Sequence, residues 1–177
     1  MEKYKTEIAP NLKSELKIGN ILAVPKLQKI MINAGIGRVL QQQPKALDQL
    51  KESLRKITGQ QPVITKAKKA IAGFKTRQGQ IVGLTVTLRG KRMYHFLEKF
   101  IKVVMPRTRD FRGLPKTGFD GRGNYSVGLK EQVAFPELTE GGAEANFGMQ
   151  ITIVTTASNN EQGYKLLKKF GFPFKED

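Results

Sequence analysis

Residues 81–88 read IVGLTVTL, with Val82, Leu84, Val86 and Leu88 alternating against Ile81, Gly83, Thr85 and Thr87. A period of two sends the two sets to opposite sides of a strand, so the segment predicts one apolar face and one small, largely polar face. Just beyond, the period changes. Met93, Phe96, Leu97, Phe100, Ile101 and Val104 recur at helical intervals, which predicts a helix over 91–104 that makes the main core contact and ends at Pro106.

The remaining segments follow the same two periods. Residues 2–16 predict a helix with Tyr4, Ile8, Leu12 and Leu16 on one face, kinked or shortened at Pro10. Residues 27–33 predict a strand, with Leu27, Lys29 and Met31 on one side and Gln28, Ile30 and Ile32 on the other. Gly35 and Gly37 end it in a turn, expected to need positive φ. Pro44 opens a helix to about Ile57 with Leu47, Leu50, Leu54 and Ile57 as its stripe, and Gly59 stops it. Short strands are expected at 62–65, 125–129 and 149–156. A last helix opens on a capping box, Ser158-x-x-Glu161, and closes at Gly171, after which Phe172-Pro173-Phe174 pins the tail. This is an α+β pattern, a mostly antiparallel sheet with helices packed on one face, and residues 1–177 are expected to form a single domain.

Charge decides the class of partner. The 177 residues carry 31 Lys and Arg against 15 Asp and Glu, a net charge of +16. No carboxylate lies between Glu52 and Glu98, whereas a solvated helix face normally mixes both signs. Nucleic acid, an anionic membrane surface or an acidic protein would all answer such a surface. No apolar run approaches the roughly 20 residues that span a bilayer. The opening MEKYKTEIAPNLKSEL mixes acids and bases with no apolar signal core, so a cytoplasmic location is expected and no membrane partner.

Catalytic chemistry lacks parts. There is no cysteine, the one histidine is His95, and no P-loop or nucleophile elbow is present. Asp110 follows Arg109, Asp120 lies two residues before Arg122, and both read as salt-bridging or loop-shaping groups. Neither an enzyme, a metal site nor a cofactor is expected. RNA binding has a mechanism instead. Thr85 and Thr87 lie on the outer strand face, with Lys29 and Asn33 on the first strand and Gln150, Thr152 and Thr156 on the last. Hydroxyls, amides and fixed cations on an open sheet suit ribose 2′-OH groups and phosphates in a shallow RNA minor groove. Aromatics able to stack on bases are few (Phe74, Phe111, Phe119, Tyr125), which favours structured RNA over a single strand. The stretch 66–80 is too long for a tight hairpin and is expected to be a functional or mobile loop.

Several strings occur together in order: TKAKKAIAGFKTRQG, TLRGKRM, PRTRDFRGL, FDGRGNYSVGLKEQVAFPEL and a terminal FPF. Over about 25–174 the chain resembles the bacterial large-subunit ribosomal protein five family, which binds 5S ribosomal RNA in the central protuberance. The resemblance implies a 5S RNA surface at Lys29, Asn33, Thr65, Lys66, Lys68, Lys69, Thr85, Thr87, Arg89 and Arg92. It implies a protruding loop, Ala72, Gly73, Phe74, Lys75, Thr76, Arg77, Gln78 and Gly79, that touches P-site transfer RNA. A third surface, Arg107, Arg109, Asp110, Phe111 and Arg112 with the turn after Pro136, would meet a small-subunit head protein in an intersubunit bridge. Neighbouring large-subunit RNA and proteins complete the expected partners. After Leu138 the sequence TEGGAEANFGM departs from the family's mixed-charge stretch.

Overall fold

The computed structural model describes residues 4–108, 111–138 and 146–175. Five strands, β1 (Leu27–Gly35), β2 (Val63–Lys66), β3 (Ile81–Leu88), β4 (Tyr125–Leu129) and β5 (Met149–Thr155), form one sheet in the order β2-β3-β1-β5-β4. The helices are α1 (Ala9–Glu15), α2 (Gly37–Gln42), α3 (Leu47–Thr58), α4 (Gly90–Lys99), α5 (Met105–Arg107) and α6 (Asn160–Lys169), joined by short 3-10 and π turns. The architecture is α+β with an antiparallel sheet, as the two periods indicate. Among the described residues, no helix is long and apolar enough to cross a membrane.

The chain divides into two compact units: 1–30, 89–127 and 152–177 in the first, and 31–88 and 128–151 in the second. In the second unit, β3 buries Leu84, Val86 and Leu88, while Thr85 and Thr87 stay half-exposed. Helix α3 packs against β3 and buries Leu50, Leu54 and Ile57, whose spacing fits one helix face. Asp48 in its first turn and Arg55 and Lys56 in its last agree with the helix dipole. Gly59, at φ 66°, closes it by donating its N–H to the Arg55 carbonyl at 2.7 Å.

In the first unit, the π turn before α1 and helix α4 meet at Phe170, the residue that caps α6, whose ring stacks on Tyr4 at 6.2 Å and tilts against Tyr94 at 6.1 Å. The tail is pinned as expected. Leu114 N–H donates to the Pro173 carbonyl, Lys175 N–H donates to that of Leu114, and Phe172 and Phe174 pack around the buried Tyr125.

Four local expectations are corrected. Pro106 does not end the long helix. A π turn over Phe100–Val104 leads into α5, which contains Pro106, and the same device, a π turn over Tyr4–Ile8, precedes Pro10 in α1. Proline has no N–H and its ring crowds the carbonyl one turn back, so widening that turn lets the helical path continue. Gly35 and Gly37 do not have positive φ, and Gly37 starts α2 rather than ending a turn. The cap of α6 is Asn159, not Ser158. Its Oδ1 accepts the Gln162 N–H, and Gln162 Oε1 accepts the Ser158 N–H, so Glu161 is left to pair with Lys165 at 2.8 Å. In β1, the core takes Leu27, Ile30, Ile32 and Ala34, so the period-two pattern is broken between Leu27 and Ile30.

Candidate nucleic-acid interface

The outer face of the sheet in the second unit is set by register. Val63 lies opposite Thr85 and Thr65 opposite Gly83, so these four positions share one face; Ile64 and Leu84 share the other. The ladder then slips between Thr65 and Lys66, and Lys66 falls opposite Ile81 instead of Val82. Ile81 has the parity of Gly83 and Thr85. The bulge therefore turns Lys66 onto the outer face beside Thr65, where an unbroken strand would have sent it to the core side.

Close packing fixes the polar groups there. Thr85 Oγ1–H donates to Asn33 Oδ1 at 2.7 Å, so Asn33 keeps its N–H donors for a ligand. A Cβ on Gly83 would lie 2.8 Å from Thr65 Oγ1 and 2.9 Å from the Ala34 carbonyl oxygen. Only glycine admits that approach. Thr87 is anchored through its backbone carbonyl, which accepts from Gln60 Nε2 at 3.3 Å. Asn33, Thr65, Lys66, Thr85 and Thr87 are thus brought onto one face, with Lys68 and Lys69 exposed just beyond the bulge.

Three sites lie in the first unit. Lys29 is half-exposed on β1. Arg89 is the N-terminal flanking residue of α4, in extended conformation with no side-chain cap, and Arg92, like its neighbour Lys91, is exposed in the first turn. Cations at a helix start oppose its dipole, so their local contribution to stability is unfavourable. The same end offers backbone N–H groups and positive potential to an anion.

The stretch 66–80 is a built arm, not a loose loop. Ala67 N–H donates to the Gln80 carbonyl and Gly79 N–H to that of Ala67, which extends the β2–β3 ladder. At the tip, Ile71 and Thr76 exchange both backbone bonds at 2.9 and 3.2 Å around a 3-10 turn, Ala72–Phe74, with Lys75 at φ 51°. Phe74 is 70% exposed and Ile71 51%. Phe74 is therefore the most available stacking ring of the four aromatics considered. Phe119 and Tyr125 are packed against each other and Phe174, and Phe111 is half-exposed.

Of the bridge residues, Arg107 ends α5 and is exposed, as is Arg112; Arg109 and Asp110 lie outside the described residues, as do 139–145 after Leu138. Asp120 does shape its loop. Its carboxylate accepts from the Arg122 and Asn124 backbones and from Asn124 Nδ2, and the Asn124 side chain holds its pKa below the ordinary value. Residues that the sequence did not mark are Ile71, Arg38, Gln41 and Gln80, which border the arm. They belong to helix α2, which a glycine pair concealed, and to the hairpin itself.

Residues 20–77 match the family model described as ribosomal protein L5, and residues 81–174 match the companion model for the C-terminus of the same ribosomal family. The chain belongs to the ribosomal protein L5 family. Relatives named large ribosomal subunit protein uL5 include one from Natranaerobius thermophilus, 54% identical over 98% of this chain and 97% of its own length. The relative from Mesoplasma florum is 53% identical over 97% and 95%, and that from Acholeplasma laidlawii is 51% identical over 99% and 97%. Membership makes this an RNA-associated component of the ribosome with a structural role and no catalytic one. The basic, carboxylate-free face of β2 and β3 fits that role.

Proposed function

We propose that this L5-family protein, a structural constituent of the large ribosomal subunit, holds 5S ribosomal RNA in the central protuberance through the outer face of its sheet, with residues 1–177 acting as one 5S-binding domain. The observation that carries the reading is the face itself. Asn33, Thr65, Thr85 and Thr87 are held by register and hydrogen bonds, Lys66 is turned beside them by a bulge, and no carboxylate lies among them. Lys29, Lys68, Lys69, Arg89 and Arg92 supply further charge. Short hydroxyl and amide groups reach 2′-OH groups across a shallow minor groove, and the cations neutralise the flanking phosphates. Neighbouring large-subunit RNA and proteins are the remaining partners of the same domain.

The distal part of the arm, residues 72–79, takes the P-site transfer RNA. Arg107, Arg109, Asp110, Phe111 and Arg112, with the segment after Pro136, form the surface for a small-subunit head protein.

Filter-binding titration of 5S RNA separates platform from arm. Thr87→Ala and Arg89→Ala each weaken the complex by about 1–3 kcal/mol, the scale of a lost charged or buried hydrogen bond. Lys75→Ala and Arg77→Ala leave it within about twofold of the parent. Equal losses at all four positions would contradict the division.

A further inference from the structure

A cleft of about 490 Å³ opens in the first unit, bordered by the π turn at Tyr4–Ile8, the 3-10 turn Ile21–Ala23 and the start of α4. Ala9, Val24, Leu27 and Met93 are buried along its floor. Lys5, Lys26 and Gln28 stand exposed around it, and among the described residues no carboxylate lines it. Gly90, the first residue of α4, lines it too. That helix start has no side-chain cap, and its dipole adds positive potential.

One wall carries apolar surface that the fold does not use. Leu22 is 84% exposed and Ile21 49%. A lone leucine in water is ordinary. Joined to Ile21 and to a cleft with an apolar floor, it forms a patch rimmed by cations, which marks an interaction surface. The wall is also held still. Asn20 Oδ1 accepts the Leu22 N–H at 2.9 Å, and the Val24 N–H donates to the Ile21 carbonyl at 3.3 Å. The Tyr4 hydroxyl donates to the Pro25 carbonyl at 2.9 Å, tying the π turn to the chain before β1. The Lys26 N–H donates to Thr156 Oγ1 at 3.0 Å and the Thr156 N–H to the Lys26 carbonyl at 2.9 Å, which fixes the rim. A site formed in advance loses little freedom when it is filled.

We propose that this cleft docks an acidic segment of a neighbouring large-subunit protein, which inserts one aliphatic or aromatic side chain over the floor of Val24, Leu27 and Met93. Leu22 packs on the apolar side of that segment, and Lys5 and Lys26 meet its carboxylates. Cations without a single carboxylate among them select an acidic partner and reject a basic one. RNA would answer the cations, but the floor is aliphatic, and both rings at the cleft, Tyr4 and Tyr94, are already packed on Phe170. A second copy of this chain would bring a net charge of +16 against the same cations. The proposal rests on the reading that other large-subunit proteins are partners of this domain. It does not depend on which RNA the sheet holds, since the cleft shares no residue with the sheet surface.

The test places a photo-crosslinker in the full chain, Leu22→benzoylphenylalanine, with Gln28→benzoylphenylalanine as a second probe, and lets each chain assemble into large subunits. The expected product after irradiation is a covalent link to one other large-subunit protein, at a segment where carboxylates flank an apolar residue. A synthetic peptide of that segment then binds the free parental chain. Leu22→Ala weakens the peptide about tenfold, the scale of an anchor residue, and Lys26→Gln weakens it about threefold, the scale of an exposed ion pair. Replacing the peptide's apolar residue by serine abolishes binding. The melting temperature and 5S RNA affinity of Leu22→Ala stay parental. Links to RNA, to a second copy of this chain or to a segment without carboxylates overturn the proposal, as does no link from either probe. Peptide binding that neither variant changes also overturns it. The 5S reading survives each of these outcomes if the same chain still binds 5S RNA. Exclusion of the parental chain itself from large subunits would overturn both.

Discussion

Arg89 and Arg92 occupy positions that helix electrostatics disfavour. Arg89 flanks the start of α4 where Ser, Thr, Asp or Asn would satisfy an open N–H, and Arg92 adds charge to the positive end of the dipole. Residues that work against their own helix are expected where binding is selected over stability. Arg89→Asp should therefore stabilise the protein by about 0.5–2 kcal/mol through capping. Arg92→Glu should add about 0.3–1 kcal/mol through the dipole. Both should weaken 5S RNA binding at least tenfold. Urea unfolding and RNA titration of the same two variants check this; a variant that lost stability as well as affinity would show these arginines to be structural. Gly83 shows the same priority from the other direction. It places Thr65 Oγ1 and the Ala34 carbonyl closer to a strand than any side chain permits.

At the scale of elements, Tyr125 joins β4 to the tail. It is fully buried, and its hydroxyl donates to the Pro115 carbonyl at 2.9 Å. Burial pushes the phenol up to about 12 from an ordinary 10.0. The unfolded chain thus loses this proton first. The contribution is complete below pH 10 and disappears as pH climbs from about 10 to about 12. Tyr125→Phe should cost about 0.5–1.5 kcal/mol at neutral pH through the lost hydrogen bond. It should also flatten the alkaline limb of the stability curve, measured by urea midpoints from the ordinary phenol pKa up to about 12. An unchanged limb would place the alkaline transition elsewhere.

Which elements were legible in the sequence follows from how local their causes are. The alternation of β3, the stripe of α3 and its Gly59 stop depend on neighbours within a turn or two, and all three are present as expected. The bulge that turns Lys66 outward depends on its pairing with Ile81 across the ladder, and no property of TKAKK reveals it. Helix α2 was hidden because Gly35-Ile-Gly37 resembles a turn, although its glycines carry ordinary φ. With α2 went Arg38 and Gln41. The cap shifted from Ser158 to Asn159 because both residues can accept from an open helix N–H, and spacing alone does not choose between them. The outer-face residues Thr85, Thr87 and Asn33 were legible from parity. The bond between Thr85 and Asn33 required the pairing of strands 52 residues apart.

For the whole molecule, a net charge of +16 makes attraction to RNA long-ranged and strongly dependent on salt, but it does not distinguish one cationic surface from another. Position does. Each cation that neutralises a phosphate releases counterions and contributes about 0.7–0.9 to the slope of log K against log salt. A cation that faces solvent in the complex contributes nothing to that slope. The most direct test is therefore the salt slope of 5S RNA binding for the parent, Arg89→Ala and Arg77→Ala. The division between platform and arm predicts a slope smaller by about 0.7–0.9 for Arg89→Ala and unchanged for Arg77→Ala. Equal reductions for the two variants, or a reduction only for Arg77→Ala, would contradict it.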